Sequence, residues 1–270
     1  MPYAESSGAK IHYEVFNAVA PWERRRETIV LHHGIGADPG MWAQWLPILT
    51  ERYRVVRFDM RGYGRSHIPP PDFPWTLDLL TRDVLAVADA AGAERMHLVG
   101  ESMGGTIGLE CAIKYPSRIA TLTVSNGGHV GASIERVHEW QRTIDEQGIK
   151  AWSDEFMSQR FHDGALDESR RAWYADRQES WKRESILNAI RVLVGTDLRP
   201  QLQSVKCPVL IMHPDGSPFI PVNVAVDLYR CLANARLQVF ANTRHGLPFS
   251  HAKACARLLR EFLDEYAPAA

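Results

Sequence analysis

Residues 98 to 105 read LVGESMGG. RMHLVG (95 to 100) is a short apolar run of the kind that forms a buried strand, and Met103 to Tyr115 reads as a helix stopped by Pro116. Gly100-Glu101-Ser102-Met103-Gly104 therefore fits G-x-S-x-G directly between strand and helix. A serine hydroxyl is a poor nucleophile and must be held out on a sharp turn, where flanking glycines remove the Cβ atoms that would clash. At a helix start the free backbone N–H groups also lie beside the reacting carbon, and the Met103 N–H would face a developing oxyanion. A glycine-rich helix start that merely packs closely would show the same five residues. The strand before and the helix after favour Ser102 as a nucleophile.

Working outward, the same alternation recurs. KIHYEVF (10 to 16), TIVLHHG (28 to 34), YRVVRFDM (53 to 60), IATLTVSN (119 to 126), CPVLIMH (207 to 213) and ARLQVFA (235 to 241) read as strands. Between them lie helical patterns. Leu77, Leu80, Val84, Val87 and Ala91 share one face ahead of Gly92, a second helix spans about Val222 to Leu232, and the last carries Leu258, Leu259, Phe262, Leu263 and Tyr266 on one side. Strands with helices between them imply an α/β fold with parallel pairing through right-handed crossovers. Residues 127 to 200 break the rhythm, carrying four of the eight tryptophans and no convincing strand. The reading is a core made of 1–126 and 201–270, with a helical insertion at 127–200.

Composition removes several classes of function. The chain of 270 residues has 31 basic against 32 acidic groups, so no net field draws it to nucleic acid or an anionic membrane. The start, MPYAESSGAK, has no basic region followed by an apolar run, and no stretch is long and apolar enough to span a bilayer; the expectation is a soluble cytoplasmic protein. Cys111, Cys207, Cys231 and Cys255 lie far apart with no CxxC spacing and read as buried free thiols. His32 and His33 are adjacent on a strand and point to opposite faces, so they cannot grip one metal ion and are read as structural. No metal or organic cofactor is expected, and the partner is a small molecule.

Two further groups complete the chemistry. His33-Gly34-Ile35-Gly36 follows a buried strand, so the Ile35 N–H can supply the second oxyanion donor. His245, in FANTRHGLPF, follows the last strand closely and is the candidate base.

With these residues in view, the chain resembles the α/β-hydrolase fold family over essentially its whole length, through HHGIG (32 to 36), FDMRGYGRS (58 to 66), GESMGG (100 to 105), CPVLIMHP (207 to 214) and TRHGLPF (243 to 249). Within it, the chain most resembles the 3-oxoadipate enol-lactonase and small carboxylesterase group, through VSNGGHVG, Trp140 and the stretch from Trp152 to Phe161. The resemblance implies a mostly parallel eight-stranded sheet flanked by helices, with residues 127–200 as a helical cap. It implies Ser102 as nucleophile, His245 as base, and the Ile35 and Met103 N–H groups as oxyanion hole, while Asp59 and Arg61 structure a loop. Gly34, Trp140, Trp152 and Arg160 are carried as substrate-binding candidates, and arginines of the insertion as partners for a substrate carboxylate.

The acid is the difficulty. Relatives carry HGxxDPxxP after the seventh strand, and laying MHPDGSPFIP (212 to 221) against it puts Ser217 at the acid's place. Asp215, two residues upstream, is the candidate third member of the triad. His213-Pro214-Asp215-Gly216 is also a good turn signature, so Ser217 and Asn126 stay open as alternative supports for His245. The expected reaction is hydrolysis of a carboxylic ester or enol-lactone through an acyl-enzyme at Ser102. The alternatives are carbon–carbon bond hydrolysis on the same fold, or a ligand-binding, receptor-like protein with a weakened triad.

Overall fold

The apolar run before Ser102 is a strand buried along its whole length, β5 (Met96–Glu101), and the strands on either side, β3 (Thr28–His32) and β6 (Ile119–Ser125), are almost as deeply buried. Strands covered on both faces read as continuous apolar segments, which is why the parallel part of this sheet was legible. A computed structural model describes residues 2–22 and 27–266. The described residues form an eight-stranded sheet in the order β1-β2-β4-β3-β5-β6-β7-β8, where β1 is Tyr3–Ser6, β2 Ala9–Phe16, β4 Arg54–Phe58, β7 Val209–Pro214 and β8 Ala235–Phe240. The first two strands pair antiparallel, as do β2 and β4; every later pairing is parallel. The expected mostly parallel α/β sheet is present, with β1 added, a strand too short and polar (YAES) to announce itself.

The strand period of two sends alternate side chains to opposite faces. Val30, Val56, Leu98 and Leu122 join one apolar cluster, while Ile29, Val55, Val99 and Leu210 join the other. The first cluster takes in α2 (Leu77–Ala90), α3 (Met103–Lys114) and α7 (Val222–Cys231); the second takes in α1 (Leu46–Leu49), α8 (Leu247–Ser250) and α9 (Ala252–Tyr266). Thr76 starts α2 as expected of an N-cap, its hydroxyl accepting from the Leu79 N–H at 3.1 Å.

Three long helices are inserted between β6 and β7: α4 (Val137–Arg160), α5 (Glu168–Glu179) and α6 (Arg183–Val194). The first of them is broken at Gly148, whose φ of 85° is a left-handed value that glycine adopts without strain. The base of the insertion is pinned where the chain leaves and rejoins the sheet, by Gly131 N–H to Thr196 O at 2.7 Å and Leu198 N–H to His129 O at 2.9 Å. Of the four thiols, Cys111, Cys207 and Cys255 are buried as expected, whereas Cys231 is half-exposed. Among the described residues no helix is long and apolar enough to cross a membrane.

Candidate active site

Register brings the functional residues to one end of the sheet. His32 pairs with Gly100, Glu101 with Ser125, and Ser125 with Met212, so β3, β5 and β6 end within one residue of the same level and β7 runs two residues past it. Ser102 stands at the turn from β5 into α3 with φ 53° and ψ −118°, strained values for a non-glycine residue. The turn closes only because two neighbours lack side chains. A Cβ on Gly100 would lie 2.1 Å from the Gly104 carbonyl oxygen, and one on Gly104 would lie 2.6 Å from that of His32. Ser102 N–H donates to Ser125 O at 2.8 Å, fixing the turn to β6. As the first residue of α3, Met103 has an N–H with no acceptor inside its own helix.

Ser102 Oγ lies 3.1 Å from His245 Nε2, and both residues are buried, with relative exposures of 8% and 2%. His245 is delivered by the loop between β8 and α8, whose Gly246 leaves no room for a side chain: a Cβ there would meet the Phe161 ring at 2.0 Å. Asn126, which follows β6, donates through its side-chain amide to the carbonyl of His245 and so braces the backbone of that loop rather than the imidazole.

The other ring nitrogen decides the question of the acid. His245 Nδ1 meets Ser217 Oγ at 3.1 Å. For Nε2 to accept the Ser102 proton, Nδ1 must carry hydrogen and Ser217 must accept it. The same oxygen also receives the Ile220 N–H at 3.2 Å and, more weakly, the Phe219 N–H at 3.4 Å. Asp215, expected as the third member, does not reach the histidine. Its carboxylate accepts from Asn242 N–H at 2.8 Å and Thr243 N–H at 3.0 Å, and those backbone bonds hold it below the usual carboxylate range. The Pro-Asp-Gly turn directs Asp215 across to the loop after β8 and leaves position 217 beside the ring. Asp215→Asn should therefore change kcat less than tenfold, since the group removed touches neither Ser102 nor His245; a larger loss at unchanged melting temperature would restore Asp215 to the mechanism.

The loop after β3 shows why Gly34 is glycine. A Cβ there would lie 2.7 Å from that of Ser102, and its N–H is already given to Glu101 Oε2 at 2.8 Å. Gly34 is thus a packing and loop-fixing residue whose N–H is not free for a ligand, a correction to its reading as substrate-binding. His33 fixes the next peptide: its Nε2 accepts the Met60 N–H at 3.0 Å, so its protonated Nδ1 donates to Gly34 O at 2.9 Å. Asp59 and Arg61 serve the neighbouring loop, Asp59 bound to His12 Nδ1 at 2.7 Å and Arg61 paired with Asp83 at 2.6 Å, in line with a loop-structuring part.

Aromatic rings wall the site. Trp152 lies against Gly36 and stacks on Phe156 at 4.7 Å, Phe156 stacks on Phe219 at 4.7 Å, and Phe219 meets His245 edge-on at 4.9 Å. Trp140 packs edge-on against Phe156 and Phe219 at 5.0 and 4.7 Å, two rings away from the base. Arg160 does not stand ready for a substrate carboxylate. Its guanidinium is paired with Glu101 Oε1 at 3.2 Å and donates to Ile35 O and the Tyr174 hydroxyl, both at 2.7 Å. Arg171 is exposed, and Arg170 lies over the Phe249 ring. Glu101, Phe219 and Tyr174 were not singled out from the sequence; the one available signal was a charge at position 101 closing an otherwise apolar strand.

An open cavity of about 550 Å³ lies elsewhere, lined by His12, Glu14, Arg57, Asp59, Trp173 and Trp181 among others and by neither Ser102 nor His245. Its charged groups answer one another, Arg57 with Glu14 and His12 with Asp59. Ser102, on its strained turn, and the neutral imidazole of His245 meet outside that cavity.

Burial keeps that imidazole neutral. It pushes His245 well below 6.5, aided by Arg160 and His213; it brings His32 to about 3 and His213 to about 4, and lowers His33. In the unfolded chain each would titrate near 6.5, so below that pH the unfolded state binds more protons. This contribution to stability is complete above pH ~6.5 and is lost as pH falls toward about 4, by up to ~1.4 kcal/mol per pH unit for each histidine. Asp59 and Glu101, whose carboxyls burial raises, oppose it as they protonate. Thermal melts should show a flat midpoint above pH 7 and a falling one below pH 6.5; a midpoint unchanged down to pH 5 would contradict the neutral assignment.

Known proteins share this fold. A model of the alpha/beta hydrolase fold family matches residues 27–190. The enol-lactonase of Burkholderia xenovorans LB400 superposes with a TM-score of 0.88 at 26% identity, covering 97% of this chain and all of that one. RutD of Caulobacter segnis, provisionally named a carbamate hydrolase, is 28% identical over 245 residues, 88% of this chain and 92% of its own length. The 2-hydroxy-6-oxononadienedioate/2-hydroxy-6-oxononatrienedioate hydrolase of Escherichia coli is 27% identical over 257 residues, 88% of this chain and 87% of its own.

Proposed function

Because this chain belongs to the α/β-hydrolase family, we propose that it is a serine hydrolase cleaving a small carboxylic ester or enol-lactone in the cytoplasm. The observation that carries the reading is the 3.1 Å approach of Ser102 Oγ to His245 Nε2 on a strained strand-to-helix turn. Ser102 attacks the carbonyl carbon and passes its proton to His245. The tetrahedral oxyanion is received by the Ile35 and Met103 N–H groups, and the imidazolium returns the proton to the leaving oxygen. Water, deprotonated by the same imidazole, then releases the acyl group and restores Ser102. Residues 127–200 act as a cap whose Trp152 and Phe156, together with Phe219 of the loop after β7, exclude water from the reacting centre.

The walls favour a neutral acyl group. Arg160 is committed to Glu101, so the cation that the sequence offered to a carboxylated lactone is spent within the protein. A second reading, carbon–carbon bond hydrolysis, is favoured by the likeness to the Escherichia coli hydrolase, and carbamate cleavage by the likeness to RutD. All three begin with the same serine at a carbonyl carbon. The test is a screen of p-nitrophenyl esters, lactones, enol-lactones, carbamates and a ring-fission dienoate, with Ser102→Ala as blank. Turnover of neutral esters or lactones that disappears in the blank supports the proposal; turnover confined to the dienoate would replace it with the second reading.

A further inference from the structure

Glu101 and Arg160 form a buried ion pair, with side-chain exposures of 0% and 1%. They come from opposite sides of the site: Glu101 ends β5 one residue before the nucleophile, and Arg160 ends α4 in the helical insertion. Stability alone does not account for them, because a buried ion pair can usually be replaced by apolar residues of similar volume at little or no loss. Besides the Tyr174 hydroxyl, which Arg160 also binds, and His245 Nε2, which Glu101 Oε1 faces at 3.9 Å, each reaches one of two consecutive residues. Glu101 Oε2 accepts the Gly34 N–H at 2.8 Å and Arg160 Nη2 donates to Ile35 O at 2.7 Å, while His33 Nδ1 holds Gly34 O at 2.9 Å. The peptide between Gly34 and Ile35, which carries the proposed oxyanion donor, is thus gripped on its own carbonyl and on both sides. Arg160 also accepts the Gly246 N–H on its backbone carbonyl at 2.9 Å, next to His245.

We infer that the Glu101–Arg160 pair is a positioning device that aims the Ile35 N–H into the oxyanion hole, so that the hole is complete only while the helix bearing Arg160 is docked on the sheet. The inference rests on the hydrolase reading above. An oxyanion donor works only if it is fixed before charge develops, and a shift of about 1 Å in such a group can cost roughly 100-fold in rate. Without the pair, the peptide keeps the His33 bond and the longer Ala37 N–H bond at 3.3 Å, both on its carbonyl, and its N–H is free to tilt away from Ser102. Coupling donor to cap has a use: water reaching Ser102 beneath an undocked helix meets an incomplete site.

The alternative is that the pair only ties the insertion to the core. The two are separated with a double substitution, E101L/R160M, which removes both charges together and leaves no unpaired ion to prevent folding, and with matched ester and thionoester substrates. A thiocarbonyl sulfur is larger and a weaker acceptor, so its attack draws less on a hole shaped for oxygen. The expected result is a cooperative melt near that of the wild type, a kcat/KM for the ester lowered roughly 100-fold with the loss mostly in kcat, and a thionoester rate lowered less than about threefold. Equal losses on both substrates, or no loss on either, would overturn the inference while wild-type turnover leaves the hydrolase reading in place. Absence of Ser102-dependent turnover in the wild type would overturn both.

Discussion

Ser217→Asp is expected to raise kcat about 100-fold, or roughly 2.7 kcal/mol of transition-state stabilisation. The position is already prepared for a carboxylate. His245 Nδ1, the Ile220 N–H and the Phe219 N–H all point at the Ser217 oxygen, three donors on an atom with two lone pairs. A hydroxyl accepting from Nδ1 selects the correct tautomer but cannot stabilise the imidazolium that forms when Ser102 gives up its proton. Removing the acid from a protease triad costs about 10⁴ in kcat, part of it through a wrong tautomer; here the tautomer is right, so only the charge term is there to gain. The introduced carboxylate should also raise the His245 pKa, which burial, Arg160 and His213 now hold well below 6.5. The acid limb of the kcat profile should move to higher pH in the variant, while the wild type keeps its activity to lower pH. Ser217→Ala should cost less than tenfold. Steady-state kinetics from pH 4.5 to 9 read all of this; an unchanged kcat and an unmoved limb in Ser217→Asp would show that Nδ1 is not where this enzyme is limited.

The second large effect is the loss of the nucleophile and base. Ser102→Ala and His245→Ala should each lower kcat by about 10³ to 10⁵, and the double variant should be no worse than either single one, because two groups that act as one unit are grossly non-additive. The fall should be smaller than in enzymes with a complete triad, since the starting rate lacks the acid's contribution. Losses that multiply in the double variant would mean that Ser102 and His245 act in separate steps.

Much of this was legible because it depends on local pattern. Runs such as TIVLH and LVG announce strands buried on both faces, and the serine is marked by Gly100 and Gly104 on either side of it, the first of which is required by a contact within five residues. His245 is marked by its place after the last strand. What the sequence left open depends on direction and partner. Asp215 and Ser217 lie two residues apart in one turn, and either could face the ring until Asp215 is seen to spend its oxygens on the Asn242 and Thr243 N–H groups. Arg160 is a cation in a helix of the insertion, and a sequence shows its charge but not that Glu101, 59 positions earlier, has taken it. Gly34 is a substrate-binding candidate in the sequence; in the structure the groups that approach it are Ser102 and Glu101. In each case residue type fixed the kind of interaction, and tertiary packing chose the partner.

A Ser102 nucleophile made competent by His245 is open to covalent labelling. Intact-mass and peptide mass spectrometry of the folded protein after treatment with a fluorophosphonate should show a single adduct on the peptide containing Ser102, absent from Ser102→Ala and formed far more slowly in His245→Ala. Folded wild-type protein in which Ser102 stays unmodified, or which labels equally fast without His245, would contradict the account.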